Sequence, residues 1–217
     1  MKNVGVLLSG CGVYDGTEIH EAVITLLALD RKGARVICMA PDTSQHHVVN
    51  HLTGQPTEEN RNVLVESARI ARGEITDIKD IHASRLDALI LPGGFGAAKN
   101  LSDFAIKGKE AEVHPEIRRL ITEIADSKKP IGAMCISPAV LAKVLEARHP
   151  RVTIGNDLGT AEAIESMGCR HTVCEVGEIQ VDSANKLVTT PAYMIGASIS
   201  DVAEGIEKLV EEVLEMA

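Results

Sequence analysis

A chain of 217 residues, 45% apolar and 24% charged, is long enough and balanced enough to fold as one large domain with a full core. Aromatic residues make up only 2%, with no tryptophan, so the core must be aliphatic and base stacking on single strands is disfavoured. A net charge of −9 without any basic run argues against a phosphate-backbone partner, and no nucleic acid is expected.

The elements follow in order. Val4 to Leu8 is a β-rich apolar run ending in the turn cluster Ser9-Gly10-Cys11-Gly12. Ile19, Val23, Leu26, Leu27 and Leu29 form a helical stripe closed by Gly33. Val36 to Ala40 is a second strand, stopped by Pro41, and Asn62 to Arg72 a helix with Gly73 just beyond. Ala88 to Leu91 is a strand halted by Pro92-Gly93-Gly94, and Glu116 to Ser127 is a helix. A short strand at Ile131 runs into Met134-Cys135 and a helix from Pro138 to Glu146. Arg151 to Gly155 reads as a strand and Ala161 to Met167 as a helix. Gln180 to Asp182 and Lys186 to Thr189 flank a hairpin turn, and a long amphipathic helix carries Ile199, Val202, Ile206, Leu209, Val213 and Leu214. Two stretches read as irregular and as candidate lids: Pro41 to Asn60, with His46, His47 and His51, and Ser102 to His114.

Strands alternating with helices predict a mostly parallel sheet with helices on both faces and a late antiparallel hairpin at an edge, all within one domain spanning residues 1–217. No apolar run approaches the roughly 18–20 residues a bilayer span requires. The chain opens directly into a strand pattern, without a secretory-type apolar segment, so the cytoplasm is the expected compartment and no membrane partner is expected. The five cysteines are scattered and form no C-x-x-C pair, so they are expected as reduced thiols without a metal.

Ligands of such sheets bind beyond the carboxyl ends of the strands. There the three turns Ser9-Gly10-Cys11-Gly12, Pro92-Gly93-Gly94 and Met134-Cys135 would gather on one edge. Cys135 sits where a strand turns into a helix, a position that exposes a side chain and aims backbone N–H groups at whatever bonds to it. Such a thiol is either a small buried hydrophobe or a nucleophile; as a nucleophile, its place at a helix N-terminus predicts a lowered pKa. An acid or base partner can come from Glu18, His20 or Glu21 at the start of the first helix, although acidic residues there also stabilise a helix N-terminus on their own.

Two runs, Pro92-Gly93-Gly94-Phe95-Gly96-Ala97-Ala98-Lys99-Asn100-Leu101 and Gly132-Ala133-Met134-Cys135-Ile136-Ser137-Pro138, resemble the PfpI-like superfamily within the class I glutamine amidotransferase-like proteins. The opening Gly5 to Gly16, with His51-Leu52-Thr53-Gly54, Arg61-Asn62-Val63-Leu64 and Thr189 to Met194, is similar to its ElbB group of glyoxalase-like proteins. The resemblance implies a flavodoxin-like three-layer sandwich, a nucleophile elbow at Cys135, and Glu21 beside that thiol, judged by its distance to Gly33. Glu18 is the second choice. It also implies an oxyanion hole from the N–H groups of Gly94 and Ile136, and a homodimer or larger assembly. Asn100 and Cys11, on turns facing the same edge, are weaker pocket candidates.

Ile136 stands where many relatives place a histidine after the cysteine, and neither His149 nor His171 aligns with a later catalytic one. That departure disfavours amidotransferase and peptidase chemistry and leaves the Cys-Glu branch. The expected activity is a glyoxalase that converts glyoxal, a small dicarbonyl, to glycolate with no cofactor. Deglycation of early amine adducts, redox sensing at Cys135 with Cys11 as resolving thiol, and ligand binding without turnover are the alternatives.

Overall fold

The computed structural model describes residues 1–196 and 198–217. Eleven strands are described: β1 (Asn3–Leu7), β2 (Arg35–Ala40), β3 (Val48–Asn50), β4 (Gln55–Thr57), β5 (Thr76–Asp77), β6 (Ala88–Leu91), β7 (Ile131–Met134), β8 (Arg151–Val152), β9 (Arg170–His171), β10 (Gln180–Asp182) and β11 (Leu187–Thr190). The helices are α1 (Ile19–Arg31), α2 (Val63–Ile70), α3 (Phe95–Lys99), α4 (Phe104–Lys107), α5 (Pro115–Asp126), α6 (Ser137–Val144), α7 (Leu158–Ser166) and α8 (Ile199–Met216).

Seven strands form the central sheet in the order β10-β11-β7-β6-β1-β2-β5. Every pairing in it is parallel except β10 with β11. Strands β6, β7 and β11 are buried at every position, as central strands are when helices cover both faces. α1, α2 and α8 supply the core of one face around Val6, Ile90 and Val188. α3, α5, α6 and α7 supply the other around Leu89, Leu91 and Ile131. The result is the three-layer sandwich with a late hairpin. Chain order reverses between β1 and β6, so the crevice beyond their carboxyl ends is the natural place for a ligand.

Four sequence expectations differ from the structure. The α1 stripe is rotated: Glu21, Ala22, Thr25, Ala28 and Leu29 are buried, while Ile19, Val23 and Leu27 are exposed. Turning Glu21 inward, to a buried hydrogen bond with the Gly93 N–H, carries that apolar row outward. The strand expected over Arg151 to Gly155 lasts two residues and pairs with β9, outside the central sheet. Beyond it the backbone is held by side chains: the Thr153 N–H donates to Thr189 Oγ1 and the Ile154 N–H to His171 Nε2. The stretch Pro41 to Asn60 contains the β3–β4 hairpin, tied down by the Val49 N–H on Asp15 Oδ2 at 2.7 Å. Ser102 to His114 contains α4, a 3-10 turn at Gly108–Glu110, and a bridge between Ser102 and Val113.

Asn100 is a clamp. Its Nδ2 donates to Ser9 O at 2.8 Å and Asp15 O at 2.9 Å, and its Oδ1 accepts from the His46 N–H at 2.8 Å. One amide thus joins the end of α3, the β1 loop and the histidine-rich segment. Asn100→Ala removes all three bonds and is expected to destabilise the fold by roughly 2–3 kcal/mol, at about 1 kcal/mol per bond. A denaturant titration measures this.

Candidate functional site

Cys135 follows β7 directly and adopts φ +59°, in the left-handed region where a non-glycine residue is strained. Two bonds hold the elbow. The Cys135 N–H donates to Thr190 O at 3.1 Å, extending the β7–β11 pairing. Ser137 Oγ donates to Pro92 O at 2.7 Å, tying the start of α6 to the β6 turn. The backbone N–H groups of Gly94 and Ile136 act on the Cys135 sulfur and favour its ionised form.

Glu21 reaches the same point from α1. Its Oε2 accepts from the Gly93 N–H at 2.7 Å and its Oε1 from the Tyr193 N–H at 3.3 Å. Its carboxyl group stands across Gly93 from the Cys135 thiol. Gly93 lies between them: a Cβ there would sit 2.4 Å from Cys135 Cβ and 2.8 Å from Glu21 Oε2, so any side chain would separate the two groups. Gly94 has φ +94°, and a Cβ on it would meet Gly16 O and Glu18 N at 2.4 Å. The Pro92-Gly93-Gly94 turn therefore allows backbone, thiol and carboxyl to converge.

Burial pushes the Glu21 carboxyl up to about 8, with the neighbouring Glu18 adding to the rise and the N–H groups of Gly93 and Tyr193 opposing it. The Cys135 thiol also lies well above its ordinary value, first through burial and then through the field of Glu21. The two backbone donors and the helix start do not offset this, so the expectation of a low thiol pKa is corrected. In the resting site both groups hold their protons at neutral pH.

Cys135, Gly94 and Ile136 open onto a cavity of about 280 Å³ walled by Val13, Phe95, Tyr193 and Met194, with Asp157 and Thr160 at one side. Wider grooves beside Lys2 and Glu211, and beside Arg148 and Arg170, contain no cysteine.

The other expected site residues lie elsewhere. Glu18 is the N-cap of α1, its Oε2 accepting from the Glu21 N–H at 2.7 Å, so it is bound to the helix and acts on the site only through its field. Asn100 is not a cavity wall, because its amide is taken up by the loop clamp. Cys11 does not line the cavity either; the charges acting on it are Glu66, Arg69, Asp15 and Arg61, on the α2 side. His149 Nδ1 bonds Gly168 O and His171 Nε2 accepts from Ile154, both structural roles.

Tyr193 was missed as a site residue. Its N–H holds Glu21, its ring lines the cavity, and its hydroxyl shares a 2.9 Å hydrogen bond with His20 Nδ1. Only the run Thr189 to Met194 hinted at it. Phe95, inside the quoted glycine-rich run, was missed as a wall. Among the described residues, no group of three His, Cys, Asp or Glu side chains is placed to hold a metal ion, and no helix is long and apolar enough to cross a membrane.

Residues 11–190 match the DJ-1/PfpI family. The chain is 52% identical to the human glutamine amidotransferase-like class 1 domain-containing protein 3, mitochondrial, over 98% of its own length and 82% of that protein. It is 49% identical to the rat ES1 protein homolog, mitochondrial, over 98% of its length and 83% of the relative. A crystal structure of an isoprenoid biosynthesis protein with an amidotransferase-like domain from Ehrlichia chaffeensis superposes with a TM-score of 0.94 at 39% identity, covering 100% of this chain and 99% of that one. With the family matched across most of its length and a similar relative at more than half identity, the chain belongs to the DJ-1/PfpI family.

Proposed function

We propose that this protein is a cofactor-independent glyoxalase, with Cys135 as nucleophile and Glu21 as acid and base. The observation that carries the reading is a buried thiol and a buried carboxyl set on either side of Gly93, with the thiol, Gly94 and Ile136 lining one cavity.

In this scheme the Cys135 sulfur bonds to one aldehyde carbon of glyoxal while the C=O π bond opens. The thiol proton passes to Glu21 and on to the oxygen, giving a hemithioacetal. Gly94 and Ile136 N–H groups face the developing oxyanion. Glu21 then removes the proton from that carbon and returns it to the neighbouring carbon, while the hemithioacetal hydroxyl gives its proton to the second carbonyl oxygen and becomes the new C=O. The product is a thioester. Water cleaves its C–S bond, releasing glycolate and restoring the thiol. Oxidation at one carbon balances reduction at the other, so no external redox partner enters.

The Cys11 neighbourhood gives no support to a resolving-thiol role, which sets redox sensing behind the glyoxalase reading. All five cysteines are free, which supports the proposed reducing compartment such as the cytoplasm.

Purified protein is expected to form glycolate from glyoxal without glutathione or added metal. Cys135→Ala should remove turnover, and Glu21→Gln should lower kcat/KM by about 10²–10⁴-fold. Full activity in either variant would overturn the scheme.

The pH profile gives a second test. Glu21 accepts a proton only when ionised, so kcat/KM should rise about ten-fold per pH unit up to about 8 and then level, a limb that Glu21→Gln removes. Stability follows the opposite course. Between its ordinary value of 4.5 and about 8, the folded state keeps a proton that the unfolded chain has released. The contribution of this group is therefore full below that window and is lost as pH rises through it. Melting curves from pH 5 to 9 should show the parent losing more Tm than Glu21→Gln.

A further inference from the structure

Two consecutive residues of α1 grip one residue of the β11–α8 connection. Glu21 Oε1 accepts from the Tyr193 N–H at 3.3 Å, and His20 Nδ1 shares a 2.9 Å hydrogen bond with the Tyr193 hydroxyl. The phenol ring between those two points forms part of the cavity wall. It lies 5.8 Å from the imidazole, centre to centre, with the planes 49° apart. His20 itself is not on that wall, and half of its side chain is exposed. Among the described residues its polar partners are the Tyr193 hydroxyl and, at 4.0 Å, Glu18 Oε1.

The backbone beside this grip is strained. Ala192, fully buried, adopts φ +44°, in the left-handed region that a non-glycine residue enters at a cost. Such a conformation persists where its surroundings hold it. Here it precedes the N–H that Glu21 accepts. The link to His20 is a strut and not a pH switch: an unprotonated Nδ1 accepts from the hydroxyl and a protonated one donates to it, so the bond survives in either form of the imidazole.

We propose that His20 is a positioning residue: by holding the Tyr193 hydroxyl it keeps the Tyr193 N–H on Glu21 Oε1 and the phenol ring on the cavity wall. Its consequence for turnover rests on the glyoxalase reading, in which Glu21 is the acid and base; the grip itself does not. The titratable groups around the Glu21 carboxyl are Glu18 and His20 on its own helix, Cys135 at the elbow and the Tyr193 phenol. The N–H groups of Gly93 and Tyr193 oppose the rise of that carboxyl, and His20 reaches only the second of them. With the strut removed, the Tyr193 N–H is free to leave Oε1, and Glu21 holds its proton to higher pH.

Three variants test this at a half-exposed position that carries no core packing and at its partner. His20→Ala removes the bond, and Tyr193→Phe removes it from the other side with the ring kept. His20→Asn retains it, because the Asn amide places a polar atom where Nδ1 stood. The carbonyl stretch of the protonated Glu21 carboxyl, identified in the infrared spectrum by its absence from Glu21→Gln, is titrated against pH in each. His20→Ala and Tyr193→Phe should raise its midpoint by about half a pH unit, and His20→Asn should return it to the parent value. On the rising limb of kcat/KM for glyoxal the same shift reads as a loss of about three-fold at pH 7. A midpoint unmoved in both His20→Ala and Tyr193→Phe, or moved as far in His20→Asn, would overturn the inference. An unmoved midpoint in protein that turns over glyoxal removes the strut and keeps the glyoxalase reading. A raised midpoint that His20→Asn restores, in protein that does not turn over glyoxal, keeps the strut and removes that reading.

Discussion

The peptide of Gly93 is held at both ends by the first turn of one helix. Its N–H donates to Glu21 Oε2 and its carbonyl accepts from the Glu18 N–H at 2.9 Å. This pair of bonds docks α1 onto the exit of β6 in a single rotation and height. Cys135 packs against the same glycine, so the contact that sets the helix also sets the carboxyl against the thiol. The arrangement determines features well away from the site. Rotating α1 to bury Ile19, Val23 and Leu27 would withdraw Glu21 and leave the Gly93 N–H without its partner, a cost of about 1–3 kcal/mol. The row stays exposed instead.

Competing magnitudes explain the electrostatics. A helix N-terminus contributes about 0.3–1 kcal/mol to a nearby negative charge, and up to about 2 kcal/mol in partly buried geometries. Full burial can shift a group by about 3–5 pK units at about 1.4 kcal/mol each. Cys135 and Glu21 are buried and face each other, so desolvation and mutual repulsion outweigh the local dipole for the thiol, and burial outweighs two backbone donors for the carboxyl. A strand-to-helix elbow therefore signals where a sulfur points. Its ionisation depends on how much protein closes over it, which is a property of the whole fold.

That distinction separates what the sequence discloses from what it does not. Strands β1, β2 and β6 are readable because each is a short apolar run cut off by Gly or Pro, and the elbow because Met134-Cys135 lies between an apolar run and a helix. Glu21 is readable only through the family resemblance, placed by its distance to Gly33; the residues alone leave Glu18, His20 and Glu21 open. Asn100 and Cys11 sit on the correct edge, but no one-dimensional pattern shows that an amide is consumed by Ser9, Asp15 and His46, or that a thiol stays off the cavity wall. Tyr193 is hidden for the same reason. It lies 172 residues from the carboxylate that its N–H supports. The expected strand at Arg151 to Gly155 fails because its propensity is real but its backbone partners are the side chains of Thr189 and His171.

The apolar walls and the raised pKa values belong to one design. With both protons in place the resting site carries no charge, so it can be closed over by Val13, Phe95, Tyr193 and Met194 without stranding an ion. The Gly94 and Ile136 N–H groups face a neutral sulfur, a weak acceptor. On the proposed path, entered once Glu21 has lost its proton, negative charge develops on the substrate oxygen beside them, where those donors exchange a weak partner for a strong one. Stabilisation that grows as charge develops lowers the barrier without tightening the ground state. The same low dielectric that holds Glu21 protonated at neutral pH makes those two hydrogen bonds stronger when they are needed.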